Sequence, residues 1–169
     1  MKQHNGMRPQ DIVILLKIAI SPPSWLAKNL SQSLHISPSE VSESLNRSAI
    51  AGLLSNDKRT VMKNSLLEFL EYGLKFVFPQ KPGALVRGVP TSHSAPPLNR
   101  LVQGGEVYVW PYAQGEFRGQ AVEPLYKTVP LLCKEDHDLY EVLALTDALR
   151  LGKTRERKIA IDELRRRIH

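Results

Sequence analysis

The sequence is poor in cysteine and has no long uninterrupted hydrophobic run. Cys133 is the only cysteine among 169 residues. This excludes an internal disulfide and a cysteine-based zinc cluster, and it suits a reducing cytoplasm. The apolar run at 12–16 follows Asp11 and is interrupted by Lys17. It therefore predicts the first helix of a folded domain and not a signal peptide or a membrane span.

Motifs for common enzyme chemistry are also missing. The sequence contains no phosphate loop, no His-Glu-x-x-His, no dinucleotide fingerprint and no convincing carboxylate pair. The run Ser92-His93-Ser94 lacks a Gly-x-Ser-x-Gly elbow and a third catalytic group, so a hydrolase is a remote alternative. Three acids and a histidine occupy 135–138; acids are favoured in the first turn of a helix, which explains them better than a metal site does. We expect no enzyme, no cofactor and no metal site.

Positive charge is concentrated near the C-terminus. Of a net charge of +6, residues 150–169 contribute +5, from eight Lys or Arg and three acids. Arg165, Arg166 and Arg167 are candidates for contacts with phosphate or with an acidic protein surface. The alternative is a solvated amphipathic helix, because Ile161, Leu164 and Ile168 keep helical spacing.

The segment 37–52 carries the clearest local pattern. Ser37, Pro38 and Glu40 have the spacing of a capping box, which predicts a helix beginning at Pro38 and ending before Gly52. Val41, Leu45 and Ser48 fall on one face of this helix. The opposite face is small, polar and expected to be exposed; it contains Ser39, Ser42, Glu43, Asn46 and Arg47.

A second helix and a hairpin are predicted on either side of this helix. Leu26, Leu30 and Leu34 recur every four residues behind Ser24, a plausible N-cap, and predict a helix of about ten residues. Only a tight turn fits between the two helices. After Gly52, two short apolar segments flank the turn 56–59, which has Lys58 and Arg59 at its tip and predicts a small β-hairpin.

These residues together resemble the winged helix-turn-helix of bacterial transcriptional regulators, most nearly the MarR-like type. The resemblance covers roughly the first 78 residues. The matching positions are Leu30-Ser31, Leu34-His35-Ile36-Ser37, Val41-Ser42, Leu45 and Ala51-Gly52-Leu53-Leu54. Ser31, His35 and Ser48 depart from the Ala, Gly and Leu that are usual in the family.

The resemblance implies double-stranded DNA binding by a homodimer. The family's recognition helix reads the major groove, and its wing contacts phosphate or the minor groove. The implied DNA-contacting residues are Ser37, Ser39, Ser42, Glu43, Asn46, Arg47, Lys58 and Arg59.

The segment 64–78 bears on assembly. On a helical wheel its apolar side chains cover about two-thirds of the circumference, more than one core can bury. The surplus requires a second neighbour, either another subunit or the C-terminal half, and the resemblance favours a dimer. Pro79 ends this helix. The candidate dimer-interface residues are Leu66, Phe69, Leu70 and Phe76.

The rest of the chain predicts a different organisation. Five of the twelve prolines lie between Pro79 and Pro97, which indicates neither helix nor strand; we expect an ordered, proline-rich strap over 79–104 on the surface. Residues 106–110 and 117–122 predict a β-hairpin, and residues 129–132 suggest a further strand. A helix closed by Gly152 and a basic helix capped by Thr154 follow.

The predicted fold class is α+β, with a winged helix-turn-helix domain at 1–78, the strap at 79–104 and a small C-terminal domain of hairpin and helices at 105–169. The function predicted is sequence-specific DNA binding by a cytoplasmic, dimeric regulator that acts as a repressor. Its C-terminal half is expected to bind a partner or to stabilise the dimer. The alternative is a protein-interaction module or antitoxin that binds and neutralises a partner enzyme. Binding to a membrane is not expected.

Overall fold

The computed structural model describes residues 5–169 and confirms a mixed α+β fold. Residues 1–4, which the predicted domain 1–78 includes, lie outside the described residues. The helices are α1 Pro9–Ala19, α2 Ala27–Leu34, α3 Pro38–Ile50, α4 Lys63–Tyr72, α5 Leu74–Val77, α6 Val129–Glu135, α7 His137–Leu151 and α8 Thr154–Ile168. The strands are β1 Leu85–Pro90, β2 Tyr108–Pro111 and β3 Phe117–Ala121, and single 3-10 turns occupy Ser92–Ser94 and Leu98–Arg100.

Helix α1 lies at the centre of the molecule. Every side chain from Ile12 to Leu16 is fully buried, as expected of a helix that is apolar around its whole circumference. The helix packs against α2 and α3 on one side and against α7 on another. As a result, one continuous hydrophobic cluster runs from Ile12 to Ile168 and includes side chains from both halves of the chain.

Helices α2 and α3 follow the local sequence pattern closely. The Ser37 hydroxyl accepts a hydrogen bond from the Glu40 N–H at 3.3 Å, which confirms the helix start at Pro38. Gly52 adopts a φ of +81°, which confirms the predicted left-handed stop. The predicted N-cap at Ser24 is wrong, because α2 begins at Ala27. Trp25 is buried there, whereas Leu26 is 57% exposed.

The helix predicted over 64–78 is divided at Gly73 into α4 and α5. Helix α4 packs against α7 and α8, and α5 packs against α7. The C-terminal half of the same chain therefore covers most of the wide apolar face, including Leu66, Leu67, Leu70 and Leu74.

The three strands form a small closed barrel. Strand β1 pairs antiparallel with both β2 and β3, and β2 pairs with β3 in parallel over two residue pairs. Two predictions are therefore wrong: the segment 79–104 is not free of strands, and 106–122 is not a hairpin of adjacent strands. Strand β1, from within that segment, lies between β2 and β3 on their antiparallel edges. Its residues 88–90 pair with β2, and its residues 85–88 pair with β3.

Small residues permit the barrel to close. A Cβ atom at Gly88 would collide with the Trp110 carbonyl oxygen, and one at Gly119 would collide with the Val107 carbonyl. Such close backbone approach is one of the few reasons for glycine inside a strand. Residues 129–132 belong to helix α6, so the further strand suggested there is also wrong; Pro130 occupies its first turn, where proline is tolerated.

Helices α7 and α8 complete the fold. The Asp136 carboxylate accepts a hydrogen bond from the Leu139 N–H at 3.0 Å, which confirms the acidic helix start. Lys17 of α1 donates to the same carboxylate at 2.5 Å. Gly152 ends α7 as predicted. Thr154 is the first residue of α8, so the N-cap of that helix is Lys153 and not the predicted Thr154. Within residues 5–169 no helix combines the length and the apolar character that crossing a membrane requires.

Candidate nucleic-acid interface

The exposed face of α3 brings together most of the residues predicted to contact DNA. Ser39, Ser42, Glu43 and Asn46 are all exposed on it. Among residues 5–169, the side chains of Ser42 and Asn46 form no hydrogen bond, so their polar atoms are available to a ligand. Ser39 makes only a 3.3 Å contact with the Ser37 hydroxyl.

The first turn of α3 is fixed on one side by its cap and on the other by the C-terminal half. The Ser37 hydroxyl holds the Glu40 N–H, but the Glu40 carboxylate does not complete the predicted capping box. It accepts a hydrogen bond of 3.4 Å from the Tyr126 hydroxyl instead. Burial, together with this neighbouring carboxylate, raises the pKa of Tyr126, so the phenol remains a donor. This turn is therefore positioned by a residue 86 positions downstream.

Arg47 was predicted on the exposed face of α3, and this prediction is wrong. The side chain is 7% exposed and points toward α1, where it donates to both oxygens of Asp11 at 2.9 and 2.8 Å. Asp11 is fully buried and also accepts the Arg8 N–H at 2.8 Å. A buried carboxylate requires a charged partner, and this requirement turns Arg47 inward. The bonds to Asp11 are the main cause of the raised pKa of Arg47.

The segment 53–62 forms a minimal turn beside α3. A single antiparallel bridge joins Leu54 and Val61, and the Ser55 N–H donates to the Thr60 carbonyl at 2.8 Å. Lys58, at the tip, is exposed and has a φ of +60°. Its ammonium group forms no ion pair among the described residues, so this cation is free to meet a phosphate.

Arg59 is less available than Lys58. Its guanidinium lies 4.2 Å from the centre of the Trp25 ring and donates to the Trp25 carbonyl at 2.7 Å. The Trp25 indole N–H donates in return to the Arg59 carbonyl at 3.0 Å. These bonds attach the turn to the segment before α2, which restrains the turn and occupies much of the arginine's bonding capacity.

The three arginines predicted to contact phosphate, near the end of α8, have acidic partners within the chain. Arg165 meets Glu71 at 2.9 Å, Arg166 meets Glu163 at 2.8 Å, and Arg167 meets Glu141 at 2.9 Å. Arg167 also contacts Glu163 at 2.5 Å. Meanwhile Ile161, Leu164 and Ile168 are buried. These ion pairs favour the amphipathic-helix interpretation of the basic tail over the phosphate-contact interpretation.

The predicted dimer residues divide between the core and the surface. Leu66 and Leu70 are buried inside the chain, so their assignment to a subunit interface is wrong. Phe69 is half-buried with its ring edge against Phe78, at a centroid distance of 6.5 Å. Phe76 remains 73% exposed and is the only one of the four whose side chain mostly faces solvent.

A buried polar cluster that the sequence did not indicate joins the barrel to α7. The Asp147 carboxylate accepts hydrogen bonds from Thr91 at 2.7 Å, Trp110 at 2.6 Å and Arg150 at 2.9 Å. Burial raises the pKa of Asp147 despite the adjacent Arg150. The partners are scattered along the chain, so no local motif could have identified the cluster. Its geometry links structural elements and offers no open position for a ligand.

The other chemically suggestive residues show no catalytic geometry. The imidazole Nε2 of His93 lies 2.6 Å from the Glu106 carbonyl, and Ser94 accepts the Tyr108 N–H. Burial raises the pKa of Cys133 well above its usual value, which makes it a poor nucleophile. Within the described part of the chain, no three His, Cys, Asp or Glu side chains come together as a metal site.

Comparison of the chain with protein-family models, with curated proteins and with solved structures finds no match.

Proposed function

We propose that the protein binds double-stranded DNA through a winged helix-turn-helix formed by α2, α3 and the turn 53–62, and that it acts as a transcriptional regulator. One observation carries this proposal: α3 presents a continuous exposed polar face, with Ser39, Ser42, Glu43 and Asn46, beside the free cation of Lys58. A helix that enters the major groove needs such a face because short polar side chains can approach base edges closely.

The side chains on this face match particular base edges. Asn46 can form two hydrogen bonds with adenine through N6 and N7, and Glu43 can accept one from the N4 amino group of cytosine. Ser39 and Ser42 can donate or accept. Lys58 would supply a backbone contact, which positions the protein without specifying sequence.

The absence of a free arginine on the described face of α3 limits the strength of this contact. The Arg47 guanidinium is buried and bonded to Asp11. It lies 3.9 Å from the Glu43 carboxylate but is not available to DNA. We therefore propose modest intrinsic affinity per subunit. A dimer would compensate by occupying two half-sites, as is usual for proteins of this motif.

A second candidate function is that of a protein-interaction module, the alternative raised by the sequence. The specific observation in its favour is Ile50, which is 59% exposed at the end of α3, on a helix with no free cation among its residues. Exposed apolar side chains beside a polar face are typical of protein interfaces.

Selection of duplexes from a random library with the purified full chain tests the first proposal. We expect enrichment of one sequence, and loss of that enrichment in the Asn46→Ala variant. Enrichment of no sequence, together with co-purification of a defined protein that Ile50→Glu abolishes, would instead support the interaction module.

A further inference from the structure

Two arginines face each other on the outside of the barrel with no counter-charge. Arg87 of β1 and Arg118 of β3 are direct partners in the antiparallel register, and both are exposed. Like charges in opposite positions of a sheet are unfavourable. Neither side chain forms an ion pair or a hydrogen bond within residues 5–169. Five other arginines do have acidic partners: Arg47, Arg150, Arg165, Arg166 and Arg167.

The register extends this pair into a row across all three strands. The Tyr112 N–H donates to the Arg87 carbonyl at 3.0 Å, which places Tyr112, the residue after β2, beside Arg87. The Lys134 ammonium then lies 5.0 Å from the centre of the Tyr112 ring. Neighbouring strands are about 4.8 Å apart, so the row spans on the order of 15 Å. We refer to Arg118, Arg87, Tyr112 and Lys134 as the basic row.

Nearby acids do not neutralise the basic row. Glu116, in the turn before β3, lines the same cavity as Lys134 but forms no ion pair with any of the three cations. Glu135, the residue after Lys134, approaches His35 at 3.4 Å on the other side of α6. The row therefore presents three exposed positive charges without acidic partners among residues 5–169, which a polyanion would complement.

The basic row is connected rigidly to the proposed DNA-binding helices. Helix α6 carries Lys134 at the barrel and also contacts the turn between α2 and α3. On that side, Thr128, immediately before α6, donates to the Leu34 carbonyl at 2.9 Å, and Glu135 meets His35. Lys134 and the turn that precedes α3 are therefore fixed to the same seven-residue helix, which is about 10 Å long at 1.5 Å per residue.

The chemistry of the row favours a sugar-phosphate backbone over exposed bases. Single-strand sites combine cations with aromatic faces on which bases stack. Here the Tyr112 ring is half-buried and has the Lys134 ammonium over it, so its face is not open for stacking. On a duplex each strand carries one phosphate per about 3.4 Å of helix axis, so a row of this length can reach several phosphates.

We propose that the basic row binds the phosphate backbone of duplex DNA flanking the segment contacted by α3, which extends the footprint of the protein without adding sequence preference. The flanking position rests on the proposed function of α3. Binding of the row to duplex backbone does not, because it can be measured on random sequence.

The test compares the full-length wild type with an Arg87→Gln/Arg118→Gln variant on random duplexes of about one and about three helical turns. We expect the variant to flatten the slope of log affinity against log salt on the longer duplex by up to about 1.8 units, from two contacts at about 0.9 each. The shorter duplex, which α3 and its turn fill, should show no change. The variant should be at least as stable as the wild type to thermal unfolding, because the substitutions remove a like-charge pair and no stabilising contact.

The matched control is Arg165→Gln/Arg166→Gln, which removes the same net charge from arginines that already have acidic partners. An equal flattening in this control would show a bulk charge effect and overturn the proposal. An unchanged slope for the row variant on the longer duplex would overturn it as well. Row-dependent binding that is stronger for a single strand than for a duplex would reject the duplex assignment.

The Asn46→Ala variant separates this proposal from that of α3. One outcome is that Asn46→Ala loses sequence preference while the row variant keeps the wild-type salt slope. This outcome would support DNA binding by α3 and contradict DNA binding by the basic row. The opposite outcome is that the row variant flattens the salt slope while Asn46→Ala has no effect. It would support the basic row and contradict the role of α3. A wild type that binds no duplex at all overturns both.

Discussion

Helices α3 and α8 both carry arginines that the sequence suggested for DNA contact, and in both helices these arginines have acidic partners. They differ in depth. Arg47 lies buried against Asp11 of α1, whereas Arg165, Arg166 and Arg167 lie nearer the surface against Glu71, Glu163 and Glu141. The comparison shows that an arginine in the sequence is not necessarily available to a ligand, because the fold can pair it with an acidic side chain.

The difference in depth also predicts different energetic roles. A buried pair that loses one member leaves an uncompensated charge in the core, which is very costly. An exposed pair that loses one member leaves a charge that water can solvate, at little cost. Variants of the two helices should therefore separate stability from binding.

The largest effect should come from Arg47→Ala. We expect the free energy of unfolding to fall by about 3–5 kcal/mol, because Asp11 would remain buried without a charged partner. Chemical denaturation of the purified protein measures this change. The double variant Asp11→Asn/Arg47→Met should recover much of the loss, since the Asn oxygen can still accept the Arg8 N–H. A loss below about 1 kcal/mol in the single variant would contradict the role assigned to the pair.

Asn46→Ala should have the next largest effect, on binding and not on folding. Asn46 is exposed, and alanine is a better helix former, so the free energy of unfolding should not fall. Affinity for a selected duplex should fall by about 1–3 kcal/mol through the loss of base contacts. Fluorescence anisotropy measures the affinity of each protein for the selected duplex and for random duplexes. Equal affinities of variant and wild type for the selected duplex would remove α3 as the recognition helix.

Neutralising the α8 arginines together, as Arg165→Gln/Arg166→Gln/Arg167→Gln, should affect stability only. Each surface ion pair contributes about 0.2–1 kcal/mol, so a modest decrease in unfolding free energy is expected. The salt dependence of DNA binding should not change, because these guanidinium groups already have acidic partners. If the slope of log affinity against log salt flattened by about three units, the three arginines would be phosphate contacts after all.

Lys58→Asn should give the smallest effect. Asparagine tolerates the left-handed backbone at this position, so the turn should keep its conformation while losing its charge. We expect the salt slope to flatten by about 0.9 units on every duplex, the signature of one lost phosphate contact. An unchanged slope on short and long duplexes alike would show that the tip of the turn does not reach the DNA.

The local elements of the helical regions could be predicted from the sequence. Ser37 and Pro38 start α3, Gly52 stops the chain after it, and Asp136 starts α7, because caps and stops depend on residues only a few positions apart. The polar face of α3 could be predicted for the same reason. The spacing of side chains around a helix is fixed by its geometry and needs no tertiary information.

The tertiary structure alone decided which strands pair and which charges remain free. Strand β1 lies between β2 and β3 on their antiparallel edges, which no adjacent-strand rule predicts, because pairing depends on backbone groups that every residue offers. Arg47 meets Asp11 across 36 positions of sequence, and Leu66 and Leu70 are covered by α7 and α8 of the same chain. Burial sets the cost of an unpaired charge or an exposed apolar face, and burial is a property of the whole fold.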